Sequence, residues 1–284
     1  MGRVTLTLIM LVVALAPGAS TVAQEQPESA VECAVPTPIP DSTDSSQVRV
    51  GLTALVKAVA ACRSEGDYET MSRLVSQKYL GQVYGGGPPM SRPTFIELAK
   101  SFPTIGVRFR DFEDFRLMDD AGAIASVKLI VGSQLTLDRM TFIESNTPGA
   151  WLIDSAETRR IDPPRDHDQV RVVIRENRYV PATLSAESAN IEIVVTNEDA
   201  VDHEVVVLLF DPGVTSTVLL TSDGPGLPPG VSYLGQVTVA ANDKETLVLV
   251  GMEPGSFALV DLLPNDLGVP HLAFGMEGVL TVSP

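Results

Sequence analysis

The apolar residues of this chain change period once, from three-to-four residues to two, and that change limits the folds open to it. Between Val48 and Cys62, Leu52, Leu55, Val56, Val59 and Ala60 recur at helical spacing, which places them on one face of an amphipathic helix. A second helix is expected over Tyr68–Tyr79, after the Gly66-Asp67 break, with Asp67 as its N-cap. A third is expected over Arg92–Phe102. Past Gly106 the pattern turns to β-prone stretches, Val107–Met118, Ala123–Val131, Leu135–Glu144 and Ala150–Ala156. Asp119-Asp-Ala-Gly122 and Ser145-Asn-Thr-Pro-Gly149 supply turn chemistry between antiparallel strands. Helices followed by a curved antiparallel sheet define an α+β unit over 47–161. The intervening Gly85-Gly-Gly-Pro-Pro89 reads as a loop, because no strand and no Lys-Ser/Thr pair gives it the context of a phosphate cradle.

From Val170 onward only short strands are expected. They are Val170–Ile174, Ile191–Thr196, Glu204–Phe210, Tyr233–Val239, Thr246–Val250, Ser256–Leu262 and Val279–Val282, with turns such as Asp211-Pro-Gly213 and Pro254-Gly255 between them. That rhythm indicates an all-β Greek-key sandwich over 170–284. Asp162-Pro-Pro164 and His167 fall in the 162–169 linker, where His167 reads as an exposed linker residue. The 284 residues suffice for two such domains.

The N-terminus carries an address. Arg3, the apolar run Val4–Ala16, Pro17-Gly18 and the small residues Thr21-Val22-Ala23 have the form of a secretory signal over 1–23, and an uncleaved signal anchor is the one membrane attachment this sequence suggests. Residues 24–46, rich in Pro, Ser and Thr, read as a linker. Cys33 and Cys62 are the only cysteines, and an even pair in an exported chain is expected to form a disulfide tying the tail to the first helix. The expected location is extracytoplasmic, in a periplasm or at a cell surface. A formal charge of −16 argues against nucleic acid as a partner; a small ligand or another protein is left as the unnamed partner.

Over Val48–Arg160 the order of helices and strands, Gly66-Asp67-Tyr68 and the closing Trp151-Leu-Ile-Asp154-Ser155 resemble the nuclear transport factor 2-like, or SnoaL-like, family. The resemblance implies a cone-shaped fold with an apolar pocket, used for isomerases, dehydratases, ligand binding or assembly. This stretch holds no histidine. Its acids Asp111 and Glu113 share one strand face and Asp114 takes the other, a solvated face set against the alternative of a catalytic pair.

Over Val170–Pro284 the chain resembles the cupredoxins. Tyr179-Val-Pro181, Val195-Thr-Asn197 and His203-Glu-Val-Val carry the likeness, with Gly255-x-Phe257-x-Leu259-x-Asp261 followed by His271 and Met276. The resemblance implies a metal set of His203, Asp261, His271 and Met276, with Asp261 at the position of the family's ligand cysteine. A carboxylate is harder than a thiolate and suits Cu(II), zinc or no metal, so efficient electron transfer is not expected.

Period two adds a constraint independent of any family. If Phe257 and Leu259 are core, Asp261 points inward with them, and a buried carboxylate needs a cation, a proton or a histidinium. Three outcomes stand open: Asp261 pairs with His203 or His271 without metal; the set binds copper or zinc; or Asp261 is exposed and the histidines are structural. The functional expectation is a binding protein rather than an enzyme, an exported cupredoxin-like protein with a divalent, non-blue site. The alternative places the activity in the N-terminal pocket, as apolar-ligand binding or isomerase/dehydratase chemistry, with the sandwich a metal-free scaffold.

Overall fold

The computed structural model describes residues 32–40, 43–119, 122–222 and 226–283; the signal segment 1–23 lies outside them. Helix α1 spans Ser45–Glu65. It starts where Asp44 Oδ1 accepts the Ser46 N–H at 2.9 Å and ends at Gly66 in the left-handed region, φ 74°. Its apolar stripe, Val48, Leu52, Leu55, Val56 and Val59, is buried as the spacing requires.

The expected helix over Tyr68–Tyr79 is two helices, α2 (Tyr68–Leu74) and α3 (Gln77–Tyr84). Asp67 caps α2 as anticipated, accepting Thr70 N–H at 2.9 Å. The break comes at Val75, which is extended (φ −130°, ψ 157°) and bridges Ile153 in parallel. Ser76 then restarts the helix by accepting Tyr79 N–H at 3.1 Å. A long-range β-bridge overrides local helical preference here. Helix α4 covers Arg92–Ala99, one turn shorter than expected.

Four antiparallel strands follow: β1 Val107–Leu117, β2 Gly122–Val131, β3 Gln134–Glu144 and β4 Trp151–Arg159. With the helices they enclose one apolar core that includes Leu52, Met71, Leu74, Phe95, Phe142 and Ile153. Asp111 and Asp114 are exposed, and Glu113 pairs with Lys128 at 2.6 Å, so these acids form the solvated face. Cys33 and Cys62 are disulfide-bonded, clipping the tail to α1.

The remaining strands are β5 Asp168–Ile174, β6 Tyr179–Val180, β7 Thr183–Ala186, β8 Ile191–Asn197, β9 His203–Phe210, β10 Val231–Val239, β11 Lys244–Leu249, β12 Gly255–Val260 and β13 Glu277–Val282. A short helix, α5 (Thr217–Thr221), lies between β9 and β10. One layer runs β10-β9-β12-β13-β7; the facing strands β11-β8-β5-β6 continue into β3, β2 and β1 as a single eight-stranded sheet. Between the layers lies a second apolar core that includes Ile174, Ile193, Val207, Leu247, Leu259 and Met276.

The junction between the two halves is the tip of the β2–β3 hairpin. Leu249 pairs with Gln134, Val250 N–H donates to Ser133 O at 2.8 Å and Ser133 N–H to Leu234 O at 2.8 Å. Gly132 permits this approach. Its φ is +65°, and a Cβ there would sit 2.7 Å from Tyr233 O, closer than non-bonded atoms tolerate, so the position needs glycine for both backbone and space. Among the described residues no helix is long and apolar enough to cross a membrane.

Candidate metal centre

Strands β9 and β12 are antiparallel neighbours, with Val206 opposite Val260, which brings the start of one beside the end of the other. His203 is the first residue of β9, and Asp261 immediately follows β12. Alternation holds along β12: Phe257 and Leu259 enter the sandwich core, while Ala258 and Val260 join a separate cluster with Leu208 and Leu272. Asp261 goes inward with the first set and is fully buried. The exposed-carboxylate outcome is therefore excluded.

The loop from Asp261 returns in a 3-10 turn, His271–Phe274. Backbone bonds fix its ends: His271 N–H donates to Leu263 O at 3.0 Å and Leu272 N–H to Asp261 O at 2.8 Å. Inside the loop Asn265 Oδ1 accepts the Leu267 and Val269 N–H groups at 2.9 and 3.1 Å. His271 is thereby held over Asp261 and is itself buried.

The three side chains meet at one oxygen. Asp261 Oδ2 lies 2.7 Å from His203 Nδ1 and 3.0 Å from His271 Nδ1, and Oδ1 accepts Leu263 N–H at 2.9 Å. The imidazole centroids are 4.6 Å apart. An ionised carboxylate only accepts, so with Asp261 ionised each Nδ1 would carry its hydrogen. His203, Asp261 and His271 are the one group of His, Cys, Asp or Glu side chains among the described residues whose donor atoms converge in this way, all within 4.8 Å of one another.

Two carboxylates that the sequence did not single out flank the cluster. Asp199, in the β8–β9 loop, places Oδ2 3.2 Å from His203 Nε2, although that nitrogen lacks hydrogen-bond geometry to any partner. Its loop is pinned by fully buried Asn197, whose Nδ2 donates to Val201 O at 2.8 Å and Val239 O at 3.1 Å. Burial would raise the Asp199 carboxyl, but the Asn177 and Glu176 N–H groups, each 2.8 Å away, and His203 hold it below the usual range. Glu204 follows His203 on the opposite face of β9 and accepts Leu262 N–H at 3.1 Å. Burial, reinforced by the Asp261 charge, pushes its carboxyl up to about 7.

Met276 is fully buried within the sandwich core. Its backbone touches the centre, the Asp261 N–H donating to its carbonyl at 3.4 Å. His167 stands outside the cluster: Nδ1 lies 2.7 Å from Pro164 O and Nε2 3.7 Å from Glu192.

No protein-family model matches the chain, and no curated protein matches it. Among solved structures the chain is similar to auracyanin B, at 18% identity and a TM-score of 0.35 over 44% of this chain and 94% of that one. It is also similar to the auracyanin of the photosynthetic bacterium Roseiflexus castenholzii, at 19% identity and 0.32 over 41% and 97%. Auracyanin A, described as a "blue" copper protein of Chloroflexus aurantiacus, matches at 13% identity and 0.33 over 41% and 99%. Likeness this distant carries no argument for the chemistry, which rests on the residues themselves.

A pH effect follows from Glu204. Its ordinary value is 4.5 and its folded value about 7, so between these values the folded state holds a proton that the unfolded state has lost. Its contribution to stability is fully present below 4.5 and is lost as pH rises through 7. Glu204→Gln keeps the acceptor for Leu262 and removes the titration. In metal-free protein at pH 8 it should be about 1–3 kcal/mol more stable than wild type, with the difference gone at pH 4. Equal denaturation midpoints at pH 8 would show that the carboxylate is not desolvated.

Proposed function

We propose that the protein is an extracytoplasmic, cupredoxin-like binding protein whose sandwich holds one divalent ion, Cu(II) or zinc, through His203 Nδ1, His271 Nδ1 and Asp261. In this reading 47–161 is a nuclear transport factor 2-like domain and 170–284 the cupredoxin-like one. The two separate apolar cores support that division, and the Cys33–Cys62 disulfide supports export.

The observation that carries the metal reading is the second nitrogen of His203. With hydrogen on Nδ1 alone, the Nε2 lone pair would face the Asp199 carboxylate at 3.2 Å, acceptor against acceptor. Three states relieve this: an imidazolium, a metal on Nδ1 that leaves Nε2–H to donate to Asp199, or a proton on Asp261 that lets Nδ1 accept. The second is the usual arrangement around a metal-bound histidine, whose distal N–H is held by a carboxylate. Two imidazoles and one carboxylate are also a recognised three-residue set for a divalent ion.

The fit needs a small expansion. Donors about 2.0–2.1 Å from a tetrahedral ion stand roughly 3.3 Å apart, against 2.7 and 3.0 Å here. A further donor is left to Met276 sulfur or to water, and no thiolate is present because both cysteines are disulfide-bonded.

Tag-free protein loaded with Cu(II) should bind one equivalent and show only the weak visible absorption of nitrogen and oxygen ligation, since the intense blue band comes from a thiolate. His203→Ala should abolish stoichiometric binding. An intense blue band, or no stoichiometric copper or zinc in the wild type after loading, would overturn the proposal.

A further inference from the structure

A large cavity, walled by the helix-and-sheet half on one side and the sandwich on the other, reaches Glu204 and Leu262, the chain neighbours of His203 and Asp261. It measures about 1300 Å³, above the 300–1,000 Å³ common for small-molecule sites. Arg63, Arg159, Arg160, Arg171 and Lys244 line it, against Glu192, Glu204 and Glu245. Five cations to three acids is the reverse of a chain carrying −16 overall. Several of these groups are already engaged. Arg159 pairs with Glu157 at 2.7 Å, Arg171 donates to Gln169 at 2.8 Å, Glu192 accepts from Gln169, and Glu204 accepts from the Leu262 backbone.

Arg63 differs. Among the described residues its guanidinium makes no hydrogen bond, and no carboxylate oxygen stands within 4 Å of it. Its charge interacts with the phenols of Tyr84, Tyr79 and Tyr68 and with the carboxyl of Asp138, which accepts from the Thr158 hydroxyl at 2.8 Å. Of the tyrosines, Tyr233, from β10, lines the cavity. Thr136 lines it too, and its hydroxyl is buried without a partner. A partly desolvated guanidinium with its five donors unused is costly unless something anionic fills the place. Apolar Ile105, Leu135, Val206, Leu227 and Val237 supply much of the remaining wall.

We infer that this cavity binds an organic anion, a single carboxylate on an apolar body, with Arg63 receiving the carboxylate and the sandwich-side residues covering the body. The site needs both halves of the chain and uses none of the His203, Asp261 and His271 side chains.

Titration calorimetry on metal-free full chain with an intact disulfide tests it, using decanoate and uncharged 1-decanol as probes. Wild type should bind one decanoate, more tightly than 1-decanol. Arg63→Gln should weaken decanoate about 10- to 100-fold, the value of a charge-assisted hydrogen-bond pair, and leave 1-decanol within about twofold, a difference under 0.5 kcal/mol. Arg63→Lys, which keeps the charge and serves if the glutamine variant does not fold, should show a smaller loss of decanoate alone. Leu227→Trp narrows the cavity from the sandwich side without touching Arg63 and should abolish binding of both probes. Wild type that prefers 1-decanol, decanoate affinity unchanged in both Arg63 variants, or decanoate binding retained in Leu227→Trp would each overturn the assignment.

Discussion

Asp261→Ala should cost the metal-free protein about 3–5 kcal/mol, the range seen when one partner of a buried ionic cluster is deleted. One side chain serves three groups: Oδ2 meets both imidazole Nδ1 atoms and Oδ1 receives the Leu263 N–H. All three lie where water does not replace the lost acceptor, since His203 and Asp261 are fully buried and His271 nearly so. Asp261→Asn should lose less, because the amide oxygen can still accept from Leu263. Its NH2 cannot accept from either ring, so it should also fail to bind a divalent ion. Urea denaturation of the three proteins at pH 7 measures both differences. A loss below about 1 kcal/mol for the alanine variant, the scale of an exposed ion pair, would mean that the carboxylate does not organise the rings.

The disulfide should matter almost as much. Cys33 and Cys62 are 29 residues apart, and closing a loop of that length in the unfolded chain is worth about 3–4 kcal/mol by the chain-entropy relation. Cys62 is fully buried on α1, so the double variant Cys33→Ala/Cys62→Ala also leaves a small void beside the core. The tail keeps a second anchor, Ile39, which is buried and donates its N–H to Gly149 O at 2.7 Å. The folded structure should therefore survive with a lower midpoint rather than lose the tail outright. Denaturation of the oxidised wild type against the double variant checks this. Coincident curves would show that the bridge constrains nothing the unfolded chain would otherwise explore.

What could be read from sequence followed the strength of the local signal. Helix α1 was legible because five apolar residues, Leu52 to Ala60, keep its period over about two and a half turns, and Asp67 announced α2 as a cap. The break at Val75–Ser76 was not legible: Val75 sits in register with the helix, and only its bridge to Ile153 pulls it out. Strands β6 and β7 hold two and four residues, too few for alternation to register.

At the His203–Asp261–His271 cluster, period two along β12 anticipated that Asp261, with Phe257 and Leu259 in the core, would point inward and need a partner. Asp199 and Glu204 escaped notice because their roles come from tertiary placement. Asp199 reads as an ordinary loop acid until the β5–β6 turn supplies its N–H donors and His203 turns toward it. Arg63 was not singled out, because a basic residue in the last turn of a helix is a common use of arginine. Only the junction of β3 with β11 and β10, which sets the sandwich across from Arg63, makes it the wall of a cavity.

The hairpin tip at Gly132 gives the two cores a shared fate. Because residues 132–134 continue the hydrogen-bonded sheet from β3 into β11, unravelling one half strips backbone partners from the other. Neither half then opens at its own intrinsic cost. A ligand confined to native molecules contributes RT ln(1 + [L]/Kd), about 2.7 kcal/mol at a hundredfold excess over Kd, and here that increment would spread across the whole sheet. An ion seated beside His203 would thus slow amide hydrogen exchange in α1, which it never touches.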